Sequence, residues 1–222
     1  MSFKRRISYF LVHTAKISNK EARELIISQS VSVAGKLLKE NELIDDFSEI
    51  RVNGRLLREK TKMVYFKFNK PPGYECSLNE PVDNNLASFF PQNNHLSIAG
   101  RLDKSSRGLL LLSNNGKWVE QVCHPKFQKS KEYQVRLDRI PSEEFLQHFR
   151  KGVEIGGGTT LPCVCEVIHD STIKVVLKEG KNRQIRRMCH HLGYRVVDLQ
   201  RVRIENWRLE NLTEGEFEEF AP

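Results

Sequence analysis

The stretch GRLDKSSRGLLLLSNNG, Gly100 to Gly116, sets one acid, Asp103, among Arg101, Lys104 and Arg107, directly ahead of four unbroken leucines. A short apolar run bounded by turn residues reads as a buried strand, here over 109–112. A lone Asp in a basic loop is ordinarily a solvated charge. A carboxylate held among cations at the mouth of a buried strand also has the make-up of a reactive group, and the rest of the chain must decide between the two.

Upstream, MVYFKFNKPPGYECS (63–77) reads as a strand that stops at the Pro71-Pro72-Gly73 turn, after the charged linker REKTK. A second domain therefore begins near residue 61 and runs to 222. Downstream, the patterning predicts further strands at 131–137, 163–168 and 172–177, and helices at 116–123, 142–151 and 182–192. Gly156-Gly157-Gly158 reads as a loop tip, with no phosphate-binding motif after it. Strands and helices do not alternate regularly, so the expected class is α+β with a mixed or antiparallel sheet rather than a doubly wound one.

The first sixty residues read as a separate small unit. In SNKEARELIISQS, Ser18 and Glu21 have capping-box spacing, and Ala22, Leu25 and Ile26 supply the apolar face of a short helix. VSVAGKLL and SEIRVNGRLL follow as two strand-like pieces, with Gly35 and Asn53-Gly54 supplying turns. Through Lys62 there are thirteen basic residues against eight acids. Over roughly residues 4–58 this pattern resembles the S-four-type RNA-binding domain, named after a small-subunit ribosomal protein. It departs from the usual SRREA helix start in having SNKEA, so that Asn19 replaces one habitual RNA-facing arginine while Lys20 keeps some charge.

The 222 residues carry 36 Lys/Arg, 28 Asp/Glu and a net charge of +8, which points to a polyanionic partner. The basic charge is localised: Lys178 to Arg208 holds nine Lys/Arg against three acids, whereas Glu210 to Glu219 holds five acids and no base. No stretch has the length and apolarity of a membrane span, and the start lacks the pattern of a secretory signal, so a soluble, cytoplasmic protein is expected. Five cysteines without a CxxC pair argue against a disulfide framework or a zinc ribbon. The CHH run at 189–191 looks like a metal cluster, yet helical neighbours point in different directions, and no metal is expected.

In EGKNRQIRRMCHHLGY, Ile185, Met188 and Leu192 form one helical stripe and Arg183, Arg186, Arg187 and His190 the opposite one. Arginines with no acid among them repel unless an anion lies nearby, so this face reads as a phosphate or carboxylate site rather than a merely solvated one. KSKEYQVRL interleaves Tyr133 with Lys129, Lys131 and Arg136 on a strand. FNKPPGYECS adds a basic loop carrying Lys70 and one tyrosine.

Taken in order, KPPGYECS, GRLDKSSRGLLLLSNNG, KEYQV and LKEGKNRQIRRM resemble the motifs of the RNA pseudouridine synthases. The similarity is to the branch typified by the small-subunit rRNA synthase and its large-subunit relatives, and it covers nearly the whole chain. RLDKSSRGL and GKNRQIRRMCHHLGY lie nearest the branch's 23S rRNA members. Ser106 stands where threonine is common, and Asn115 falls where TNDG is common; neither change touches the acid.

The resemblance implies that Asp103 is the nucleophile of a reaction that detaches uracil from its ribose, turns it and reattaches it through carbon 5, with no cofactor or metal. A carboxylate beside a fixed cation is favoured as the anion and can form a covalent intermediate. Arg186 takes the position of the arginine that pairs with the aspartate, Tyr133 that of the base-stacking tyrosine, and Arg101 that of the residue holding the uridine out of its helix. Leu177 would be an apolar floor, and Lys70, Lys131, Arg183 and Arg187 would bind RNA. The expected partner is ribosomal RNA, with 23S favoured over 16S rRNA or tRNA, and the expected state a monomer. A non-catalytic RNA-binding or ribosome-assembly factor would explain the charge equally well, and only Asp103 and its partners separate the two. A DNA-binding protein built on the helix at 182–192 is disfavoured, because nothing suggests a helix-turn-helix pair.

Overall fold

The structure, a computed structural model, describes residues 5–45, 47–79, 84–90 and 95–222. It divides into one unit at Met1–Met63 and a second at Val64–Pro222.

In the first unit Arg5–Arg6 (β1) leads into two helices, Ile7–Ala15 (α1) and Asn19–Ile27 (α2). The capping box forms as expected: Ser18 Oγ accepts the Glu21 N–H, and the Glu21 carboxylate accepts the Ser18 N–H at 2.8 Å. The short strands Val31–Val33 (β2), Lys36–Leu37 (β3), Leu43–Ile44 (β4), Ile50–Val52 (β5) and Arg55–Arg58 (β6) complete the unit. β4 pairs with β1, and the other four form a sheet in the order β3-β2-β5-β6. Both hairpin turns, Ala34-Gly35 and Asn53-Gly54, have positive φ at their two central residues, the twist that suits right-handed strands. Ile7, Leu11, Ala22 and Ile26 of the helices bury themselves with Val31, Leu38, Ile44 and Ile50.

The second unit is built on a nine-stranded mixed sheet. In chain order its elements are Tyr65–Lys70 (β7), Ser97–Ile98 (β8), Arg107–Ser113 (β9), Gly116–Cys123 (α3), Lys131–Leu137 (β10), Glu143–Lys151 (α4), Val164–His169 (β11), Thr172–Leu177 (β12), Gln184–His191 (α5), Val196–Ile204 (β13), Trp207–Arg208 (β14) and Phe217–Glu219 (β15). The strand order is β11-β12-β10-β13-β9-β7-β15, with β14 on β13 and β8 on β9.

The four leucines of β9 are fully buried, and they divide between two cores. Leu109 and Leu111 pack with Val119 and Val122 of α3, whereas Leu110 and Leu112 face Phe68, Leu86 and Phe90. Alternate residues of a strand point to opposite faces, so a continuous apolar run is what a strand covered on both sides requires. A third core joins β10 and β12 to α4 and α5.

β9 and β13 run parallel, with Gly108 opposite Arg201. Gly108 has φ +106°, and a Cβ there would fall onto the Arg201 carbonyl oxygen and 2.7 Å from its amide nitrogen. Only glycine fits this approach. The helix expected over 182–192 begins at Gln184, because Arg183 takes the left-handed conformation at the N-cap, φ 49°. Arg183 therefore leaves the helical periodicity that groups Arg186, Arg187 and His190.

Candidate functional site

Asp103 lies on a tight turn at the entrance to β9, closed by the Ser106 N–H donating to the Asp103 carbonyl at 3.0 Å. The KPPG loop docks on this turn, the Gly73 N–H donating to the Lys104 carbonyl at 2.7 Å. Two buried cations hold the segment from beneath. Lys70 Nζ donates to the carbonyls of Pro71, Lys104 and Ser106 at 2.9, 3.2 and 2.8 Å. The Arg201 guanidinium donates to those of Leu109, Arg101 and Gly100 at 2.8, 3.3 and 3.2 Å. Burial holds the Lys70 ammonium below the usual lysine range, while nearby Cys76, Asp103 and Glu214 act the other way. Lys70 is completely inaccessible, so the sequence-based expectation that it touches RNA is corrected: it acts inside the fold, on the backbone around Asp103.

Of the three cations adjacent in sequence, two are engaged elsewhere. Arg107 makes a two-pronged bond to Asp198, Nε–Oδ1 3.0 Å and Nη2–Oδ2 2.8 Å, and reaches Glu214 at 3.0 Å. Lys104 lies 3.4 Å from Glu75. The carboxylate of Asp103 instead faces cations from the far end of the chain. Its Oδ2 is 3.8 Å from Arg183 Nη1 and 4.0 Å from Arg186 Nε, ion-pair distances too long for hydrogen bonds.

The Arg186 guanidinium is steadied by the Ser105 carbonyl and Ser106 Oγ, both at 3.3 Å, and by the Val196 carbonyl at 3.4 Å. Its Nε is buried and has no hydrogen-bond partner among the described residues. Burial and then neighbouring Arg183 lower its pKa, against Asp103 and Asp198, which raise it.

A pocket of about 100 Å³ opens beside the carboxylate, lined among others by Arg101, Tyr133, Leu177, Arg183 and Ile185. It shares Arg101, Asp103, Tyr133 and Arg183 with a larger cleft of about 580 Å³, to which Lys129, Lys131, Lys178 and Lys181 also contribute. Tyr133 and Leu177 are inward residues of the antiparallel strands β10 and β12, 8% and 3% exposed, so their positions follow from strand alternation. Lys131 Nζ donates to the Lys129 carbonyl at 3.1 Å, and burial followed by Arg201 lowers its pKa.

Arg101, Asp103, Tyr133, Leu177 and Arg183 thus meet in one recess, with Lys131 in the adjoining cleft and Arg186 against the carboxylate. Arg187 is not brought to it. Its guanidinium donates to the carbonyls of Gly156 and Asn182, tying the glycine loop to α5. Gln184, which the sequence reading did not single out, is buried at the pocket wall, accepting from the Lys181 N–H at 3.0 Å and donating to Glu179 at 2.7 Å. Arg201 was likewise not singled out; its signal is its place two residues after Leu199, an inward position of a strand filled by a charge. In the CHH run Cys189 is buried in the core while His190 and His191 are exposed. Among the described residues no group of His, Cys, Asp and Glu is arranged to hold a metal, and no helix is long and apolar enough to cross a membrane.

The family model described as RNA pseudouridylate synthase matches residues 64–191. The chain is 32% identical to the dual-specificity RNA pseudouridine synthase RluF of Escherichia coli K12 over 218 residues, covering 97% of this chain and 75% of that one. It is 30% identical to the ribosomal large subunit pseudouridine synthase B of Bacillus subtilis over 226 residues, covering 98% and 92%. A solved pseudouridylate synthase superposes with a TM-score of 0.69 at 29% identity, covering 97% of this chain and 96% of that one. The chain belongs to the RNA pseudouridylate synthase family and is a pseudouridine synthase, an isomerase that modifies RNA.

Proposed function

We propose that this protein isomerises a specific uridine of ribosomal RNA, the large-subunit RNA in particular, with Asp103 as nucleophile acting on a uridine swung out of its helix. The observation that carries the reading is the recess in which the Asp103 carboxylate faces Arg183 and Arg186 beside Tyr133 and Leu177. The large-subunit preference leans on the likeness to the Bacillus subtilis enzyme, whose name gives that target.

In the reaction the N1–C1′ bond breaks, a C5–C1′ bond forms, the C5 proton leaves to solvent and N1 gains a proton. Atoms and charge balance without a cofactor. Stacked bases hide the glycosidic bond, and lifting one out costs a few kcal/mol. The Tyr133 ring at the recess offers a stacking surface that returns about 1–3 kcal/mol of this, with Leu177 as the apolar floor and Arg101 at the rim. Arg186 Nε, a buried donor without a hydrogen-bond partner among the described residues, is available to an oxygen that arrives with the substrate. Arg183 and Lys131 are read as phosphate contacts, which position the RNA without reading its sequence. The amino-terminal unit, with two helices packed on glycine-turned hairpins and its excess of basic residues, is read as an S-four-type RNA-binding domain.

The test is Asp103→Asn, which keeps the shape and removes the charge. Release of tritium from RNA labelled at uridine C5 should fall by about 10⁴-fold or more, while affinity for the same RNA survives. Full activity in the variant, or equal loss of binding and turnover, would overturn the assignment.

A further inference from the structure

A second cavity, of about 500 Å³, is lined by Asp138, Arg183, Arg186, His190, Tyr194 and Arg195, with Gly193 and Val196 between them. It sits where α5 meets the start of β13, and it is connected to the uridine recess through shared residues. Arg183 lines both, and Arg186 reaches from this cavity to the Asp103 carboxylate.

Its charge is unbalanced. Three guanidiniums line it; Arg183 and Arg186 also face Asp103, and the one carboxylate of the cavity wall is engaged, Asp138 Oδ1 accepting the Arg195 backbone N–H at 3.0 Å and Oδ2 lying 3.4 Å from Arg139 Nη1. Arg139 is itself committed, donating to the Gly193 carbonyl at 2.6 Å and covering the Tyr194 ring at 4.1 Å. The Arg195 guanidinium, by contrast, is exposed and has no hydrogen bond or ion pair among the described residues. The fold therefore gathers cations around a concave space and leaves the Arg195 guanidinium exposed, its charge felt by Asp138 but in no close ion pair among the described residues, an arrangement that costs self-repulsion unless an anion enters.

We propose that this cavity is a phosphodiester site that grips the RNA backbone next to the nucleotide held in the uridine recess, with Arg195 as its outer contact and Arg183 shared between the two. The proposal rests on the uridine reading for what fills the recess. Given that, the link through Arg183 points to the ligand class: a strand that leaves the recess past Arg183 meets a space whose guanidiniums suit a phosphate's paired oxygens.

The test uses the full chain and an in vitro transcript of 23S rRNA. Each neutralised phosphate contributes roughly 0.7–0.9 to the slope of log affinity against log salt. Arg195→Ala should therefore lower that slope by roughly 0.7–0.9 and weaken binding about five- to eightfold at about 0.1 M salt. Arg195→Lys should restore most of the slope. Because the Arg195 guanidinium is exposed and makes no hydrogen bond or close ion pair among the described residues, the melting midpoint of both variants should lie close to the parent's.

An unaltered slope and affinity in Arg195→Ala would overturn the proposal. So would weaker binding with an unaltered slope, or a loss confined to the saturated rate. The binding measurement does not depend on turnover: were the parent protein inactive on this transcript, the activity reading would fail while the slope still decided the cavity's role.

Discussion

The turn that carries Asp103 is held by buried cations, Lys70 among them. Lys70 is placed by β7, which ends on it, and its ammonium satisfies three carbonyls around the Asp103 turn. Removing a buried donor leaves its acceptors without partners, and each such loss costs about 1–3 kcal/mol. Lys70→Met, similar in length but without hydrogen-bonding capacity, should lower the unfolding free energy by about 2–4 kcal/mol, read from urea denaturation. Turnover should also fall at temperatures where the variant is folded, with RNA affinity nearly unchanged, since Lys70 touches none. Weakened RNA binding at full stability would return Lys70 to the role that its basic loop suggested. Sequence alone could not separate these roles: it shows a lysine before two prolines, not the carbonyls that fold over it.

β9 and β13 join the two sides of the sheet, and their parallel pairing brings Arg201 under the GRLD segment. The junction depends on Gly108. An alanine there combines a left-handed φ with overlap on the Arg201 backbone, so Gly108→Ala should cost about 2–5 kcal/mol and lower the melting midpoint. Unchanged stability would mean that the strands can separate without penalty.

The same junction is tied by Arg107 and Asp198. Burial alone would raise the Asp198 carboxyl, but the two-pronged bond and charge of Arg107 outweigh it and hold the group below the usual carboxylate range. A carboxyl whose folded pKa is depressed contributes its stability above the unfolded value, about pH 4, and loses it as pH falls through the lower folded value. Asp198→Asn should thus be less stable at neutral pH and show a flatter loss of stability below about pH 4; an identical acid limb would remove Asp198 from the linkage. Much of this was readable beforehand. Tyr133, Val135 and Leu137 alternate, so β10 has the extent expected, 131–137. The start of α5 was not, because a left-handed arginine leaves no trace in a hydrophobic period.

The excess positive charge of the whole chain is divided between its two units. The order of elements and the motif-bearing loops were legible because they follow from local apolar patterning and turn residues. The meeting of residue 103 with residue 186 was legible only through resemblance and that with residue 183 not at all, since long-range pairing sets both. The family match falls within the second unit, which has buried clusters of its own on both faces of the sheet. The first unit has a separate core, and the described residues that line the recess beside Asp103 belong to the second. Two linked modules on one RNA raise affinity by about 10²-fold or more over either alone, without adding to the chemistry. Removal of residues 1–63 should accordingly weaken binding to an rRNA transcript by about 10²-fold in an anisotropy titration. Tritium release from a short stem-loop, held at saturating enzyme, should remain near that of the full chain. Were turnover of the stem-loop to fall as far as rRNA affinity, the amino-terminal unit would have to complete the catalytic site rather than deliver RNA to it.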